Sequence, residues 1–260
     1  MHKPLLTILI PVYNYYSGLL RILNNLPVDN EKLEIIICDD SDDIDYEFYK
    51  FIDYKIKIIL NPVNIGAAKT WNKLLKASNG AYTMIIHHDE FPENKNTINL
   101  LIKDIESHYT CDVFVLKYKI LKNNKIFNHT SGRLKLFFIN NSIAYIIRRN
   151  FIGSMSSLII RSEFYQEFDI KLKWFIDVDL FYRVLMSTKN VNYLNKSIVS
   201  EVDRIESITY NVKKNNFNEL KNQELMYLAN NHGYRYKIKY FIFDIIFYIN
   251  KILLLLHNSK

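Results

Sequence analysis

Residues 5–14 read LLTILIPVYN, an apolar run rich in β-branched side chains that ends in the polar pair Tyr13-Asn14. A continuous run of this kind is typical of a strand buried on both faces of a parallel sheet. Two later apolar runs also end in polar residues, namely Asp39-Asp40-Ser41 and His87-His88-Asp89-Glu90. Because ligands bind outside the carboxyl ends of the strands in open α/β sheets, these endings predict one shared site.

Apolar, extended segments alternate with segments of helical spacing through the first half of the chain. Predicted strands cover 5–12, 33–38, 55–60, 82–86 and 113–116, and predicted helices cover 17–26, 44–52, 67–77 and 97–107. This alternation favours right-handed βαβ units around a parallel sheet. The sequence contains no G-x-G-x-x-G and no G-x-x-x-x-G-K-[ST] motif, which argues against the usual NAD and ATP phosphate loops.

Beyond residue 121 the pattern loosens. Residues 122–150 are rich in Asn, Lys and Arg, which predicts a loop or a lid. Order returns in a strand-like run at 154–161, a helix with an acidic start at 174–183, a mixed β region at 193–212 and a helix at 216–231. The sequence shows no internal repeat and no flexible linker, so one domain with appended parts is expected.

The composition is that of a folded globular protein, with 49% hydrophobic and 23% charged residues. The formal net charge of +7 favours anionic partners such as sugar nucleotides or lipid headgroups. No helix-turn-helix, zinc-finger or RNA-recognition motif accompanies this charge, so nucleic acid is not an expected partner. Cys38 and Cys111 lie in apolar runs, and the first residues lack a signal-peptide pattern, so a reduced, cytoplasmic setting is expected.

The polar endings of the three apolar runs, in their order and spacing, resemble the nucleotide-sugar half of family 2 glycosyltransferases with the GT-A fold. The resemblance covers about residues 4–210 and is strongest over the first 95. It implies an α/β protein with a GT-A-like, Rossmann-type, mostly parallel sheet flanked by helices. The expected parts are a donor-binding half at 1–117, an acceptor and catalytic half of the same domain at 118–212, and an apolar C-terminal helical segment at 213–260.

In this resemblance Asp40 is expected to bind the nucleotide base, because a fixed carboxylate can accept the imide N–H of uracil. Tyr13 would lay an aromatic face against the base, and Pro11 would offer its main-chain carbonyl. The other residues that the resemblance assigns to the donor pocket are Asn14, Asn64, Gly66, Asn72 and Asp89. The structural alternatives are an Asx turn at Asp40, and a turn followed by a helix with one polar residue at Asn72.

The segment His87-His88-Asp89-Glu90 stands where the family carries an aspartate-rich motif, with His87 in place of the first Asp and Glu90 in place of the last. The resemblance implies a divalent cation, Mn²⁺ or Mg²⁺, held by Asp89 and Glu90 and bridging the two phosphates of the donor. On an extended strand end, His87 and Asp89 would share one face. The alternative is a solvated acidic turn. Zinc is not expected, because no zinc-type ligand spacing occurs.

The segment Asp177-Val178-Asp179-Leu180 resembles the family's Glu-Asp motif, although Ile176 stands in place of its Glu. The resemblance implies that Asp177 is the general base that takes the proton from the acceptor hydroxyl. The alternative is an acidic helix start in which both aspartates complement the helix dipole. If Asp177 is not the base, Asp179 is the next candidate.

Residues 238–256 are almost wholly apolar, and residues 234–240 are rich in basic and aromatic side chains. This pattern favours a helix docked on an anionic membrane surface. One alternative is a helix buried against the domain or in a dimer. Another is a membrane span, which would need about 20 apolar residues and would place Asp244 within the bilayer.

These features together imply an inverting glycosyltransferase that moves a sugar from a nucleotide-diphosphate sugar, with UDP favoured, to a glycan or lipid-linked acceptor. The expected role is synthesis of a bacterial surface polysaccharide or lipooligosaccharide at the inner face of the cell membrane. One alternative is a catalytically inactive sugar-nucleotide-binding or scaffold protein of the same fold, which the replaced Asp and Glu would favour. A nucleotidyltransferase is disfavoured, because residues 14–18 lack the Gly-rich, basic loop that it would need.

Overall fold

A computed structural model describes residues 3–202, 217–232, 245–249 and 252. The strands are β1 Leu6–Val12, β2 Leu33–Asp39, β3 Lys57–Leu60, β4 Tyr82–Ile85, β5 Glu90–Pro92, β6 Val113–Lys122, β7 Lys125–Asn128, β8 Leu158–Arg161 and β9 Val191–Glu201. The helices are α1 Tyr16–Leu23, α2 Tyr46–Tyr49, α3 Ala67–Ala77, α4 Thr97–Ser107, α5 Gly132–Ser142, α6 Tyr145–Arg148, α7 Ile176–Ser187 and α8 Phe217–His232.

The described strands form one sheet with the order β3-β2-β1-β4-β8-β6-β9-β5, and β7 pairs with the last residues of β6. Strands β3, β2, β1 and β4 are parallel neighbours, as the alternation of strands and helices predicts. The other half is mixed, because β8 runs antiparallel to both β4 and β6, and β5 runs antiparallel to β9. Strands β6 and β9 are parallel.

Strand β1 lies at the centre of the parallel half, and all seven of its residues are buried. Its side chains alternate between the two faces of the sheet, so Leu9 packs in one hydrophobic core while Ile8 and Ile10 pack in the other. The core around Leu9 includes side chains of α3, α5, α6 and α7, and the opposite core includes side chains of α1 and α4. Helices therefore cover both faces of the sheet, which explains the unbroken apolar character of β1.

The carboxyl ends of β1, β2 and β4 lie side by side. Val12 pairs with Asp39 across β1 and β2, and the Asp40 amide donates to the Val12 carbonyl at 2.9 Å. On the other side of β1, the Ile86 amide donates to the Leu9 carbonyl at 2.9 Å. The three polar endings therefore meet at one edge of the sheet, as the sequence predicts.

The prediction of a loop or lid at 122–150 is wrong, because this segment contains β7 and two helices that enter the core. Phe138 of α5 and Tyr145 of α6 are fully buried, and their ring centroids lie 4.7 Å apart. The polar residues that suggested a loop, such as Asn140 and Arg148, lie on the exposed faces of the same helices. Their high frequency hid the apolar face.

Lys135 of α5 is a charged residue inside this core. Its side chain is fully buried, and its Nζ donates to the Leu116 carbonyl at 2.8 Å and to the Ile152 carbonyl at 2.5 Å. Burial lowers the pKa of this amine to about 7. The two hydrogen bonds connect β6 to the segment that leads from α6 to β8.

Several predicted boundaries change in the structure. Strand β6 continues to Lys122, beyond the predicted end at residue 116, because its later residues pair with β7 and β9. Helix α2 is a single turn where 44–52 is predicted. The predicted β region at 193–212 is β9 as far as Glu201, and residues 203–212 lie outside the described residues. The helix predicted at 216–231 is confirmed as α8.

Only residues 245–249 and 252 of the predicted apolar C-terminal helix are described, and they are helical. Phe247 is buried in the core that contains α5–α7, and the Arg149 guanidinium lies 5.0 Å from the centroid of the Tyr248 ring. In the described ranges, no helix has the length and apolar character needed to cross a membrane. The rest of the predicted segment at 234–260 lies outside the described residues.

Candidate active site

Asp40 follows the end of β2 and holds the turn that precedes α3. Its Oδ1 accepts hydrogen bonds from the Asn61 side-chain amide and the Ile65 amide, both at 2.8 Å, and its Oδ2 accepts from the Gly66 amide at 2.9 Å. A carboxylate offers about four acceptor positions, so one position on Oδ2 remains for a ligand. The side chain therefore combines the Asx-type structural role with the capacity to bind a base.

Asp39, the other member of the pair, has a purely internal role. Its carboxylate is fully buried and accepts hydrogen bonds from the Tyr16 and Tyr49 hydroxyls, each at 2.9 Å, and from the Ser41 amide and hydroxyl. These four bonds use the whole acceptor capacity of the group. Of the two aspartates, Asp40 is therefore the one that can receive a ligand.

Asp42 connects three of the residues predicted to line the donor pocket. Its carboxylate accepts from the Tyr13 hydroxyl at 2.7 Å, and from the side-chain amides of Asn14 and Asn64, each at 3.2 Å. The hydrogen bond to Asp42 raises the pKa of the Tyr13 hydroxyl. Sequence reasoning missed Asp42, although the acidic run after β2 contains it. The structure thus brings Tyr13, Asn14 and Asn64 together around the Asp42 carboxylate.

Pro11, the remaining predicted residue of β1, is buried within the sheet and pairs with Cys38 of β2. Gly66 has a φ of 86°, a backbone conformation that glycine adopts at little cost, and it forms the N-cap of α3. Its amide is bonded to both Asp40 and the Asn64 side chain. The Asn64–Gly66 turn is therefore fixed beside Asp40, as the resemblance implies.

Asn72 is 8% exposed and contacts the backbone of a distant residue. Its Nδ2 donates to the Phe168 carbonyl at 2.9 Å, and its Oδ1 accepts from the Phe168 amide at 2.7 Å. The amide group is thus used in joining α3 to the segment that leads towards α7. The Nδ2 and Oδ1 atoms of Asn72 are thus both bonded to the backbone of Phe168.

The His87–Glu90 segment is a turn and not the extended strand end that the sequence suggested, because the Glu90 amide donates to the His87 carbonyl at 2.9 Å. The Glu90 side chain is 1% exposed, and its Oε2 accepts from the His87 amide at 3.0 Å. Burial raises the pKa of this carboxyl above its ordinary value. Asp89, by contrast, is partly exposed.

The positions of Asp89 and Glu90 determine how well these predicted ligands could bind a divalent cation. A hard divalent cation needs accessible carboxylate oxygens, and the Glu90 side chain is buried with Oε2 bonded to the His87 amide. Among the residues that the structure describes, no group of three or more His, Cys, Asp and Glu side chains could hold a metal ion. The residues fit a cation that takes one protein ligand, Asp89, and completes its coordination with phosphate oxygens and water.

His87 stands where the resemblance expects the first Asp of the acidic motif, and its side chain packs against Trp71 and lies beside Ser154. Its ring stacks on Trp71 of α3 with centroids 4.8 Å apart, and its Nδ1 lies 3.2 Å from the Ser154 hydroxyl. Burial lowers the pKa of the imidazole, so the neutral ring is favoured. Within the described ranges, the buried Nε2 has no hydrogen-bond partner. Trp71 and Ser154 are site residues that sequence reasoning missed.

Asp177 lies in the first turn of α7. Its Oδ1 accepts from the Val178 amide at 2.8 Å, and its Oδ2 lies 3.3 Å from the Asn150 side-chain amide, which acts as a donor. Burial raises the pKa of the carboxyl to about 6, and His87 and Glu90 are among the neighbouring groups that affect it. Asp177 is therefore close enough to His87 and Glu90, at the end of β4, to interact with them electrostatically.

Asp179 occupies a different environment. Its side chain is 0% exposed, and its Oδ2 lies 2.7 Å from Nη2 of Arg183. The same arginine donates to the Gln166 side chain and to the Glu167 carbonyl. This ion pair joins α7 to the segment before it. This geometry favours a structural role for Asp179.

The comparisons with known proteins agree with this arrangement. The family model described as glycosyl transferase family 2 matches residues 7–168. A protein from Haemophilus influenzae, described as an uncharacterized glycosyltransferase, is 30% identical over 116 residues, which are 42% of this chain and 45% of that protein. The chain thus spans less than half of this curated relative. Asp177 lies beyond the end of the family match.

Two solved structures of S. aureus TarS share the fold. TarS 1-349 in complex with UDP-GlcNAc has a TM-score of 0.62 and 18% identity, and the match covers 79% of this chain and 60% of that one. A second TarS structure has a TM-score of 0.61 and 19% identity, over 76% of this chain and 37% of that one. At this identity the likeness shows the fold alone, and it confirms the predicted GT-A-like α/β architecture.

Proposed function

The chain belongs to glycosyl transferase family 2, and on that premise we propose that it transfers a sugar from a nucleotide-diphosphate sugar to an acceptor hydroxyl with inversion. One observation carries the proposal. The Asp177 carboxyl interacts electrostatically with His87 and Glu90, and burial raises its pKa to about 6. A carboxylate with this pKa is ionised at neutral pH and is more basic than an ordinary aspartate.

In the proposed reaction, Asp177 takes the proton from the acceptor hydroxyl while that oxygen forms a bond to the anomeric carbon. The bond from the anomeric carbon to the diphosphate breaks in the same step, so the configuration inverts. The Val178 amide and the Asn150 side chain hold the two carboxylate oxygens in place. The orientation of the Asp177 carboxylate is therefore fixed before the acceptor binds.

A uridine diphosphate donor is favoured by the acceptor position left on Asp40, which suits the imide N–H of uracil. Tyr13, Asn14 and Asn64 converge on Asp42 beside it. TarS, which shares the fold, has been solved with UDP-GlcNAc. We therefore place the base near Asp40 and the diphosphate towards Asp89. The donor half is then residues 1–117 and the acceptor half 118–212.

A divalent cation, Mn²⁺ or Mg²⁺, remains part of the proposal with Asp89 as its protein ligand. When bound, the cation would neutralise the charge that develops on the departing diphosphate. The proposal uses only Asp89 of the predicted ligand pair, because the Glu90 carboxyl is buried and bonded to the backbone of the turn.

Ligand-induced thermal stabilisation tests both the donor and the cation. UDP and UDP-GlcNAc are expected to raise the Tm of the full chain, and Mn²⁺ is expected to increase the shift, because a ligand that binds only the folded state stabilises it. Asp89→Asn should remove the effect of Mn²⁺, whereas the matched neighbour Glu90→Gln should keep it. Full stabilisation in EDTA would contradict the role of the cation, and no stabilisation by any sugar nucleotide would contradict the proposed function.

The second candidate is a sugar-nucleotide-binding protein without turnover. His87 in place of an Asp, Ile176 in place of a Glu and the single open carboxylate at Asp89 favour it. The two candidates predict the same donor binding and differ in turnover. Release of UDP from a bound donor in the presence of an acceptor separates them.

We also propose a lipid-linked glycan as the acceptor, in surface polysaccharide or lipooligosaccharide synthesis, and peripheral binding to the inner face of the cell membrane. The net charge of +7 supports attraction to anionic lipids. Exposed apolar side chains recur at helical spacing in the described part of the C-terminal segment, at Ile245, Tyr248, Ile249 and Ile252.

Co-sedimentation of the full chain with vesicles tests this location. Vesicles that contain an anionic lipid are expected to carry the protein down, and vesicles of neutral lipid are not. Joint substitution of Ile245→Ser and Ile249→Ser should weaken the binding, whereas the exposed Ile126→Ser on β7 should not. Protein that stays in the supernatant with anionic vesicles would refute the membrane proposal.

A further inference from the structure

Helix α8 places a buried carboxylate against the segment that leads into α7. Glu224 is 5% exposed. Its Oε1 accepts from the Lys173 amide at 2.7 Å, and its Oε2 accepts from the Trp174 amide at 3.1 Å and the Phe175 amide at 3.0 Å. One side chain, more than 40 residues further along the chain, thus satisfies three consecutive backbone donors.

These three donors lie directly before the helix that carries Asp177. Phe175 is the N-cap residue of α7, and its own side chain makes no capping hydrogen bond. The amides at a helix start have no partner within the helix, and a negative charge there interacts favourably with the helix dipole. Glu224 supplies both the missing acceptor and the negative charge from a separate element.

Other contacts hold α8 against the same segment. The Tyr227 hydroxyl donates to Asp169 at 2.7 Å, and the Trp174 and Phe217 ring centroids lie 4.8 Å apart. Leu228 of α8 is fully buried in the core that also contains Leu172. Helix α8 is therefore packed over residues 169–175, and Glu224 forms the polar centre of the contact.

We propose that Glu224 is a positioning residue for Asp177 and that α8 completes the catalytic half of the protein. This inference rests on the proposed function, in which Asp177 is the general base. Asp177 follows Phe175 by only two residues. The position of the 173–175 backbone therefore determines the position of the Asp177 carboxylate. The family match ends at residue 168, before both Asp177 and α8.

The geometric reason is that catalysis depends on placement at the scale of an ångström. The carboxylate of Asp177 must meet the acceptor hydroxyl at hydrogen-bond distance, and a misplacement of about 1 Å can cost roughly 100-fold in rate. Without Glu224, the amides of residues 173–175, directly before α7, would need new partners, and the first turn of the helix would shift or fray. Donor binding would be spared, because Asp40 and its neighbours lie in the other half.

The test compares Glu224→Gln with two matched variants of α8. The amide side chain keeps the shape, but its NH₂ faces a backbone donor, so one or more of the three hydrogen bonds is lost. Glu219→Gln removes the same charge from an exposed position of the helix. Tyr227→Phe removes a different hydrogen bond of the same contact. UDP binding and UDP release from UDP-GlcNAc with acceptor are measured for each.

Glu224→Gln is expected to lower kcat roughly 10- to 100-fold with little change in the affinity for UDP. Glu219→Gln and Tyr227→Phe are expected to stay within about threefold of the original protein. Glu224→Asp, which keeps a shorter carboxylate, should lie between them. Equal kcat in Glu224→Gln and Glu219→Gln, or a parallel loss of UDP affinity, would overturn the proposal. If Glu224→Gln fails to fold, the same comparison is made with Glu224→Asp.

Amide hydrogen exchange provides a readout that needs no turnover and so separates this inference from the proposed function. The amides of 173–175 and of Val178, which bonds the Asp177 carboxylate, are expected to exchange faster in Glu224→Gln than in Glu219→Gln. Unchanged exchange at Val178 would show that Glu224 does not reach Asp177, and the inference would fail. If the unsubstituted protein has no transferase activity but the two variants show this difference in exchange, only the proposed function is refuted.

Discussion

Asp177→Asn is expected to lower turnover by about 10²- to 10⁴-fold, the range that loss of a general base typically causes. The substitution keeps the size of the side chain and removes its basicity. The affinity for UDP is expected to stay nearly unchanged, because Tyr13 and Asp40, the residues predicted to bind the base, lie at the ends of β1 and β2. The Tm should stay the same or rise, because the variant no longer buries a charge at neutral pH. Steady-state kinetics, calorimetric titration with UDP and thermal melts provide the three measurements.

The same residue predicts the acid limb of the pH profile. The base acts only when it is deprotonated, and burial raises its pKa to about 6. Turnover is therefore expected to fall as the pH decreases through about 6 and to level off above it, whereas an ordinary aspartate would stay active to about pH 4. A profile that stays flat down to pH 5 would contradict Asp177 as the base.

Asp179→Asn is the matched control, because it removes the other carboxylate of the same helix turn. Asp179 is fully buried and paired with Arg183, so its loss leaves a charge without its partner. Breaking a buried ion pair from one side typically costs about 3–5 kcal/mol of stability. The control should therefore melt at a lower temperature and keep its turnover per folded molecule. Normal turnover in Asp177→Asn would exclude Asp177 as the general base.

The central part of the fold was predictable because its signal is local. The run at 5–12 is apolar on both faces, and only a strand covered by helices on both sides of a sheet suits such a run. Helix α3 and helix α4 were predictable at their observed bounds, because each has one apolar face and a clear break after it. These predicted elements indicate which edge of the sheet carries the polar strand endings. They therefore also predict that Tyr13, Asp40 and His87 lie at the same edge.

What the sequence could not provide are contacts between distant segments. The resemblance assigned Glu90 to a metal, but its burial depends on the turn with His87 and on packing that the local sequence does not reveal. The bond of Asn72 to the backbone of Phe168 spans 96 residues. Glu224 carries no local signal, since an acidic residue on a helix is usually solvated. The role of each of these polar groups depends on a partner that only the tertiary fold brings next to it.

Asp40→Ala is expected to weaken UDP binding roughly 10- to 150-fold, since a hydrogen bond to a charged group contributes about 1.5–3 kcal/mol. The structure adds a second effect that sequence reasoning did not anticipate. Asp40 also accepts from Asn61, Ile65 and Gly66, so its removal leaves the turn before α3 without its acceptor. A lower Tm is therefore expected together with the weaker binding, and titration calorimetry and melts measure the two separately.

Asn61→Ala distinguishes a direct contact from a loss of turn structure. Asn61 is buried and donates to Asp40 Oδ1, so this variant loosens the turn but leaves the acceptor position of Asp40 Oδ2 unchanged. If Asp40 binds the base, Asp40→Ala loses far more UDP affinity than Asn61→Ala at a comparable loss of Tm. Equal losses of affinity at equal losses of Tm would show that Asp40 acts only through the turn, and the nucleotide base would then have to be bound by another residue.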